Sequence, residues 1–523
     1  MLIPKETENR ANRLPIRKFV AWSGVARVVG FVTLMLIELT ALMAVTIVLK
    51  HRAVEVYSAI YLASFVAVAY IVIKRNNPYS IKWVIIILAL PVYGLFLYLI
   101  FATSDIIGDR NKTLRASMAR GATFLDKDPG VYADLGNAYP EKKRIAGYLG
   151  RKGQPLYANT QCEYYPVGEL KFDAMFRDME KAERFIFLEY FIISQGDLWD
   201  RVQDILIRKA EQGVEIRVML DDIGSILLFP QRTFKALKTH GIRILRFSDV
   251  HGIISRYYFN NRNHQKIAVI DGNVGYTGGI NIADEYINAY PKHGHWKDTA
   301  IRLEGDAVWS LTVAFLQMWD GETKGDSDYK AYRPTASRKV DGFYQPFVDG
   351  PLVDADYIAK NIYKMFIFNA RKYVYITTPY LIVDATMLDA LRIAANGGTD
   401  VRIIVPKRWD KWFVHFVTLS NYQTLLEAGV RIFEYTPGFV HAKSIISDDE
   451  HAVIGTINMD YRSHYLHYEN GVWICGAPVI GDIKRDMEET FAICGEIRLE
   501  TWMRRPWYEK CLQTVMRLFA VVF

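Results

Sequence analysis

Apolar residues are concentrated near the amino terminus, and the rest of the chain alternates short apolar runs with amphipathic ones. Three nearly uncharged runs, with Lys or Arg at or near their ends, cover residues 28–49, 56–73 and 83–102. Because a helix needs ~20 apolar residues to cross ~30 Å of hydrocarbon, these runs predict about three transmembrane helices within residues 1–105. Buried core helices are the alternative, and Glu38 and Pro91 are the residues that least fit a span.

Beyond residue 105, β-branched runs alternate with helical patterns in an order that occurs twice. The matching segments are RFIFLEYFII at 184–193 with KYVYITTPYL at 372–381, GVEIRVMLDD at 213–222 with GTDVRIIVPK at 398–407, and ALKTHGIRILRF at 236–247 with LLEAGVRIFEY at 425–435. The alternation predicts an α/β fold with two homologous halves, each a sheet covered by helices. The predicted boundaries are a polar linker at 106–155, half 1 at 156–325, a loop at 326–344, half 2 at 345–500 and an amphipathic tail at 501–523.

Charge and cysteine content narrow the function classes. Lys and Arg number 64 against 57 Asp and Glu, a net charge of +7. This excess suits anionic lipid surfaces and is too small to indicate nucleic-acid binding, so no nucleic-acid partner is expected. The four cysteines show no CxxC spacing, which argues against a disulfide framework and a zinc site. The tail at 501–523 fits a helix on a lipid surface or one packed on the core, and the oligomeric state is open.

One motif within the repeated halves carries candidate chemistry. Five residue types recur at the same spacing, namely His264, Lys266, Asp271, Gly278 and Asn281 in half 1 and His441, Lys443, Asp448, Gly455 and Asn458 in half 2. An isolated His-x-Lys pair is typically an exposed polar pair, but its duplication with matching Gly and Asn favours a site.

The residue types in this motif suit a phosphate ester. On an extended segment residues two apart face the same side, so each His and its Lys would face one site together. Two such pairs would surround an anion, and the Asn281 and Asn458 amides could donate to its non-bridging oxygens. One imidazole could attack phosphorus while the other protonates the leaving oxygen. The motif therefore predicts phosphoryl transfer through a phosphohistidine.

The segments HQKIAVIDGNVGYTGGIN from His264 and HAKSIISDDEHAVIGTIN from His441 resemble the paired HxKxxxxD motifs of the phospholipase D superfamily. The resemblance implies that the two halves share one active site, with no metal and no other cofactor. It also implies that a carboxylate of the opposite half orients each histidine, Glu469 for His264 and Asp298 for His441. The alternative is that either acid merely begins a surface strand. Asp271 and Asp448 belong to the family motif, although their spacing favours bracing a loop over touching substrate.

The second and third apolar runs, with KRNNPYSIKW between them and LPVYGLFLYLIF at the end, are similar to the amino-terminal hairpin of bacterial cardiolipin synthases. This resemblance implies a multi-pass enzyme of the bacterial plasma membrane that makes cardiolipin and glycerol from two phosphatidylglycerol molecules. Phosphatidylglycerol and anionic membrane lipids are then its expected partners. The alternatives are a hydrolase that releases phosphatidic acid, a membrane-tethered nuclease and a non-enzymatic lipid-binding protein. The Lys and Arg distribution leaves the membrane face of the catalytic region open.

Overall fold

A computed structural model describes residues 52–74, 78–101, 108–248, 261–353 and 356–518, together with residue 520 and six positions between 36 and 48. The chain divides into two compact units. Unit 1 holds Met1–Thr103 and Lys411–Phe416, and unit 2 holds Ser104–Asp410 and Val417–Val521. The first predicted span, 28–49, lies largely outside the described residues.

Within residues 52–101, unit 1 contains three helices, α1 (Ala53–Lys74), α2 (Pro78–Ala89) and α3 (Pro91–Phe101). Among the described residues, one helix is long and apolar enough to cross a membrane, over Ala53–Ile73. The run at 83–102, predicted as one helix, is divided at Leu90 because Pro91 begins a new helix. At 1.5 Å per residue, neither α2 nor α3 reaches across ~30 Å of hydrocarbon. The prediction of several spanning helices is therefore unsupported.

Helices α2 and α3 fold back on each other. The rings of Trp83 and Tyr98, fifteen residues apart in sequence, meet edge to face with centroids 5.9 Å apart. A Cβ atom on Gly94 would lie 2.5 Å from the Ile86 carbonyl oxygen, so only glycine permits this approach. The third apolar run is thus a short helical hairpin in this structure.

Unit 2 begins with helices where a polar linker was predicted. They are α4 (Gly108–Ala122), α5 (Pro129–Ala138) and α6 (Lys143–Arg151). Leu114 is buried in an apolar core to which residues of both sheets contribute. Leu135, Ile145 and Leu149 are buried in the core of half 2. The linker prediction was wrong because a few apolar residues at helical spacing suffice to anchor these otherwise charged helices.

Half 1 is a seven-stranded sheet in the order β1-β8-β6-β5-β2-β3-β4. The strands are β1 (Thr160–Tyr165), β2 (Phe185–Tyr190), β3 (Glu215–Asp221), β4 (Arg243–Phe247), β5 (Ile267–Ile270), β6 (Val274–Gly278), β7 (His295–Lys297) and β8 (Ala300–Gly305), of which β7 lies outside the sheet. The helices are α7 (Gly168–Glu180), α8 (Asp197–Glu211), α9 (Asp222–Ser225), α10 (Gln231–Thr239) and α11 (Val308–Thr323). Strands β2, β3 and β4 are parallel, and β5 returns antiparallel beside β2.

Half 2 repeats this order with one added edge strand, as β17-β12-β11-β10-β14-β15-β16-β9. The strands are β9 (Phe343–Asp349), β10 (Tyr373–Thr377), β11 (Asp400–Pro406), β12 (Arg431–Tyr435), β13 (Gly438–Val440), β14 (Ser444–Ser447), β15 (His451–Gly455), β16 (Glu469–Cys475) and β17 (Cys494–Ile497). The helices are α12 (Ile358–Asn369), α13 (Ala385–Asn396), α14 (Trp412–Leu419), α15 (Tyr422–Glu427), α16 (Tyr461–Tyr465), α17 (Val479–Ala492), α18 (Leu499–Met503) and α19 (Trp507–Leu518). The prediction of two α/β halves is confirmed.

The two halves share one core and one small sheet. Helix α11 is buried along most of its length and packs in a single apolar cluster with residues of both sheets. Strands β7 and β13, one from each half, pair in parallel with Lys297 opposite Val440. The residues that follow this pair are Asp298 and His441. The small sheet therefore brings a carboxylate of one half to the histidine of the other.

Candidate active site

Both motif histidines lie just before a strand and are held by the opposite half. Strand β5 runs antiparallel to β2, with Ile267 opposite Glu189, so His264 lies beyond the carboxyl end of β2. The His264 backbone N–H donates to the Tyr468 carbonyl at 2.9 Å, and the His441 N–H donates to the Lys297 carbonyl at 2.7 Å. Each histidine backbone is thus bound to the residue that precedes the opposite carboxylate.

The two carboxylates contact the imidazoles as the family resemblance implies. Nδ1 of His264 lies 3.0 and 2.9 Å from the two Glu469 carboxylate oxygens, and Nδ1 of His441 lies 2.6 Å from Asp298 Oδ2. All four side chains are buried. A carboxylate on Nδ1 selects the tautomer and stabilises a cationic ring, so Nε2 is the nitrogen that can attack phosphorus or move a proton.

The two motif lysines are close enough for the charge of Lys443 to affect the pKa of Lys266. Lys266 Nζ donates to the His264 carbonyl at 2.7 Å, and Lys443 Nζ donates to the His441 carbonyl. The pKa of Lys266 is lowered to about 7, chiefly by burial, with Glu469 opposing the shift and the Lys443 ammonium adding to it. Burial likewise lowers the pKa of Lys443 to about 8, opposed first by Asp298. A phosphate ester between these groups would favour their charged forms.

The two motif asparagines already bond within the protein. Asn281 Oδ1 accepts the Ile192 N–H at 3.0 Å, and its Nδ2 donates to the Tyr286 hydroxyl at 2.7 Å. The side chain of Asn458 bonds to Asp460. Its buried Oδ1 has no hydrogen-bond partner among the described residues. Because an amide nitrogen carries two hydrogens, each asparagine has a second N–H that could reach a phosphate oxygen.

Asp271 and Asp448 do not join the site. Each lies at the opposite end of its strand from the motif histidine, at a turn residue with φ of 54° and 57°. Each carboxylate accepts three backbone N–H groups at the start of a neighbouring strand, from Glu183, Arg184 and Phe185 in half 1 and from Arg371, Lys372 and Tyr373 in half 2. The two aspartates of the family motif therefore brace the strands that carry the site, in agreement with the bracing role that their spacing favours.

The surroundings of the two carboxylates differ. Glu469 accepts hydrogen bonds from the hydroxyls of Thr456 and Ser463, the latter at 2.7 Å. Asp298 accepts the Thr299 backbone N–H at 2.8 Å. Burial raises the pKa of Asp298 to about 7, although Lys443 lies close enough to oppose the shift. Gly279, at the repeat position of Thr456, contributes no side chain.

The rings beside the histidines also differ. The His467 ring centroid is 5.4 Å from that of His264, whereas Trp296 and Tyr286 each lie 5.5 Å from His441. Burial lowers the pKa of His467 to about 3, so its ring is neutral near pH 7. The sequence did not lead us to predict His467, Trp296 or Tyr286, nor the hydroxyls on Glu469. Their equal distances from the motif residues in the two halves could have identified most of them. Ser463 and Tyr286 each follow a motif Asn by five residues, and His467 and Trp296 each precede a carboxylate by two.

Three of these groups have the chemistry of a metal site. Ligand atoms of His264, His467 and Glu469 lie within 4.8 Å of one another. The Glu469 oxygens, however, already accept hydrogen bonds from two hydroxyls and contact the His264 imidazole. The arrangement therefore fits a hydrogen-bonded His–Glu pair better than a ligand set, because a cation would have to displace those bonds.

A family model and individual relatives of known sequence indicate the same protein family. The family model described as "Cardiolipin synthase, PLD-like domain" matches residues 175–293 and 363–491, which contain the two repeated motifs. An uncharacterized protein of Streptococcus mutans is 39% identical over 87% of this chain and 99% of its own length. Cardiolipin synthases of Halalkalibacterium halodurans and Staphylococcus aureus are 33% and 31% identical, covering 87% and 91% of this chain and 91% and 99% of theirs.

The fold also occurs among solved structures. The crystal structure of phosphatidylserine synthase from Haemophilus influenzae matches with a TM-score of 0.56 and 14% sequence identity. The match covers 73% of this chain and 98% of that protein. At this identity the likeness concerns the fold, and it agrees with the two-sheet arrangement of unit 2.

Proposed function

Since the chain belongs to the cardiolipin synthase family of phospholipase D-like proteins, we propose that it transfers a phosphatidyl group from one phosphatidylglycerol to another, forming cardiolipin and glycerol. The observation that carries this proposal is the pair of buried histidines, each held at Nδ1 by a carboxylate of the opposite half. Two such rings can serve as nucleophile and as acid and base for a phosphodiester.

In the first step, the donor phosphodiester binds between Lys266 and Lys443, and the second N–H groups of Asn281 and Asn458 donate to its oxygens. Nε2 of His264 attacks phosphorus. The bond from phosphorus to the glycerol oxygen breaks, and His441 gives its Nε2 proton to that oxygen. Glycerol leaves, and the phosphatidyl group is bonded to His264.

The second step reverses the roles of the rings. His441, now neutral, takes the proton from a hydroxyl of the acceptor phosphatidylglycerol, and that oxygen attacks phosphorus. The bond from phosphorus to His264 breaks, cardiolipin is released, and both histidines regain their starting protonation states. We assign the covalent intermediate to His264 because the two hydroxyls on Glu469 support its negative charge beside a cationic ring.

The substrate and helix α1 together support a location in the bacterial plasma membrane. Both substrate molecules would be anionic lipids, and α1 has the length and apolar character of a single membrane span. The net charge of +7 suits an anionic membrane surface.

The decisive experiment incubates the purified full chain with phosphatidylglycerol vesicles, without added divalent metal, and identifies lipid products by mass. Cardiolipin is expected, whereas phosphatidic acid alone would indicate a hydrolase that uses water as acceptor. His264→Asn and His441→Asn should each lower turnover by roughly 10³-fold or more. The exposed His240 offers a matched control, and His240→Asn should retain full turnover.

A second measurement tests the roles of the two rings. A phosphatidyl ester with a p-nitrophenol leaving group needs no general acid. His441→Asn should therefore still release p-nitrophenol once per enzyme and accumulate a phosphatidyl adduct on His264, detected by peptide mass. An adduct on another residue would refute the assignment of the nucleophile.

A further inference from the structure

Helix α19 presents two different faces. Gln513 and Met516 are buried, whereas Trp507 is 76% exposed, Tyr508 60% and Leu512 42%. Met503, one helix earlier, is 43% exposed. At about 100° per residue, the three exposed side chains of α19 fall within an arc of roughly 140° on one side of the helix. We call Met503, Trp507, Tyr508 and Leu512 the apolar stripe.

The composition of the apolar stripe and the charge around it indicate what covers it. Trp and Tyr are the side chains enriched where hydrocarbon meets headgroups. The two helices that carry the stripe and the turn between them hold four basic residues, Arg504, Arg505, Lys510 and Arg517, against two acidic ones, Glu500 and Glu509. Arg504 and Arg517 are exposed, and Lys510 Nζ donates to the Met503 carbonyl at 3.0 Å. Aromatic and aliphatic side chains bordered by arginines match an anionic bilayer surface.

We infer that the apolar stripe docks on the surface of an anionic phospholipid bilayer, with the aromatic rings at headgroup depth and the arginines on lipid phosphates. This inference goes beyond the proposed reaction, because it concerns where unit 2 meets lipid. Unit 2 would then have a lipid contact of its own, separate from helix α1. A second copy of the chain is the competing occupant of the stripe.

The chain carries a native reporter for this contact. Cys511, beside Leu512, is exposed, Cys475 is buried, and Cys162 and Cys494 are half-buried. Burial raises the pKa of the Cys494 thiol to about 12 and that of Cys162 above its usual range, which disfavours their labelling near pH 7. A bimane maleimide should therefore label Cys511 selectively in the full chain.

The first test reconstitutes the labelled chain in vesicles of phosphatidylglycerol and phosphatidylcholine that contain nitroxide lipids. We expect a blue-shifted bimane emission and quenching that is stronger with a nitroxide near the headgroup than with one near the bilayer centre. The matched control is Ile393→Cys in a Cys511→Ser background, since Ile393 is an exposed apolar residue of α13 that is 60% exposed. If the Cys511 label is quenched no more than the control label, the inference is wrong.

The second test removes the apolar stripe. The paired change Trp507→Gln and Leu512→Gln should abolish most of the quenching at Cys511 and lower turnover of phosphatidylglycerol vesicles by at least about half. Turnover of short-chain phosphatidylglycerol below its micelle concentration should be unchanged, and Ile393→Gln should change neither property. Pyrene excimers at Cys511 that persist when the vesicles are diluted with lipid would instead identify a second copy as the occupant. If neither the unchanged chain nor any variant turns over the short-chain lipid, the proposed function is wrong. If the Cys511 label of the unchanged chain is still quenched in that case, the docking inference remains supported.

Discussion

The two halves of unit 2 have the same strand order around the site and yet surround their histidines with different chemistry. In half 2, Thr456 and Ser463 donate hydroxyls to Glu469, which contacts His264. In half 1, Gly279 and Tyr286 occupy the corresponding repeat positions, and Asp298 lacks both hydroxyls. The duplicated backbone thus supports one buried carboxylate that accepts two hydroxyl hydrogen bonds and one whose pKa is raised by burial to about 7.

This difference teaches that a duplicated motif need not produce two equivalent groups. Two imidazoles with equal basicity would compete for the same role in a two-step transfer. A carboxylate stabilised as an anion favours a ring that remains cationic while bonded to phosphorus. A carboxylate that binds a proton near neutral pH suits a ring that exchanges its proton in each step.

The largest expected contrast between the halves is in their carboxylates. Glu469→Gln should lower kcat by roughly 10³-fold at pH 7, because an amide cannot stabilise the cationic ring of His264. Asp298→Asn should cost only roughly tenfold at pH 7, because a carboxyl with a pKa of about 7 is already partly neutral there. Initial rates of cardiolipin formation measure both variants. Equal losses at pH 7 would show that the two pairs are equivalent.

Gly279→Ala tests the steric side of the comparison. A Cβ atom there would lie 2.1 Å from Asp298 Oδ1, so the carboxylate must move away from His441. We expect a loss of kcat of roughly 10²-fold, measured as cardiolipin formation by folded protein. Gly481→Ala on α17 is the control, since a Cβ there meets nothing within 4 Å. Full activity of the Gly279→Ala variant would mean that Asp298 does not orient His441.

The pH dependence of kcat/KM should have two limbs. As the pH falls below about 7, Asp298 gains a proton and no longer stabilises the His441 cation, so the rate falls. As the pH rises above about 7 to 8, Lys266 and Lys443 lose their protons and bind phosphate less well, so the rate falls again. The alkaline limb should fall roughly tenfold per pH unit, whereas the acid limb should level off roughly tenfold below the maximum, near the rate of Asp298→Asn. Asp298→Asn should remove the acid limb, and an acid limb that persists at the same pH would assign it to another group.

Ser463→Ala should have a smaller effect on the rate. Its hydroxyl donates to Glu469 at 2.7 Å and accepts the Asn458 backbone N–H at 3.1 Å. Loss of both bonds should lower kcat by roughly tenfold and leave KM nearly unchanged, because the contact acts through Glu469 and does not touch substrate. Ser463→Thr keeps the hydroxyl and should restore most of the rate. A rise in KM without a change in kcat would contradict this role.

The smallest expected effect on catalysis is at the two turn aspartates, where the halves are alike. Asp271→Ala or Asp448→Ala leaves three backbone N–H groups without their carboxylate and should lower the free energy of unfolding by about 2–3 kcal/mol. The kcat of the folded enzyme should not change. Thermal unfolding in detergent, together with activity per folded molecule, measures both quantities. A loss of kcat without a loss of stability would show that these aspartates take part in catalysis.

Several features of the chain follow from local patterns. Alternating apolar runs predict the two α/β halves because strand and helix periodicities are set by neighbours in sequence. The spacing of His264 and Lys266, repeated at His441 and Lys443, identifies the candidate chemistry for the same reason. The helices at 108–151 escaped prediction because their stability comes from packing few apolar side chains on a distant core.

The repeated motif by itself determined which residue types are available to bind a phosphate ester and that they occur in two copies. Only the tertiary structure decided that β7 pairs with β13 and that the apolar run at 83–102 folds into a hairpin. It also decided that Glu469 accepts hydrogen bonds from two hydroxyls, whereas Asp298 accepts none from the hydroxyls of the described residues. The physical reason is how far apart in sequence the interacting residues lie. Periodicity and spacing act over a few residues, whereas burial, the pKa values of Lys266 and Asp298 and the pairing across halves depend on groups more than a hundred residues apart.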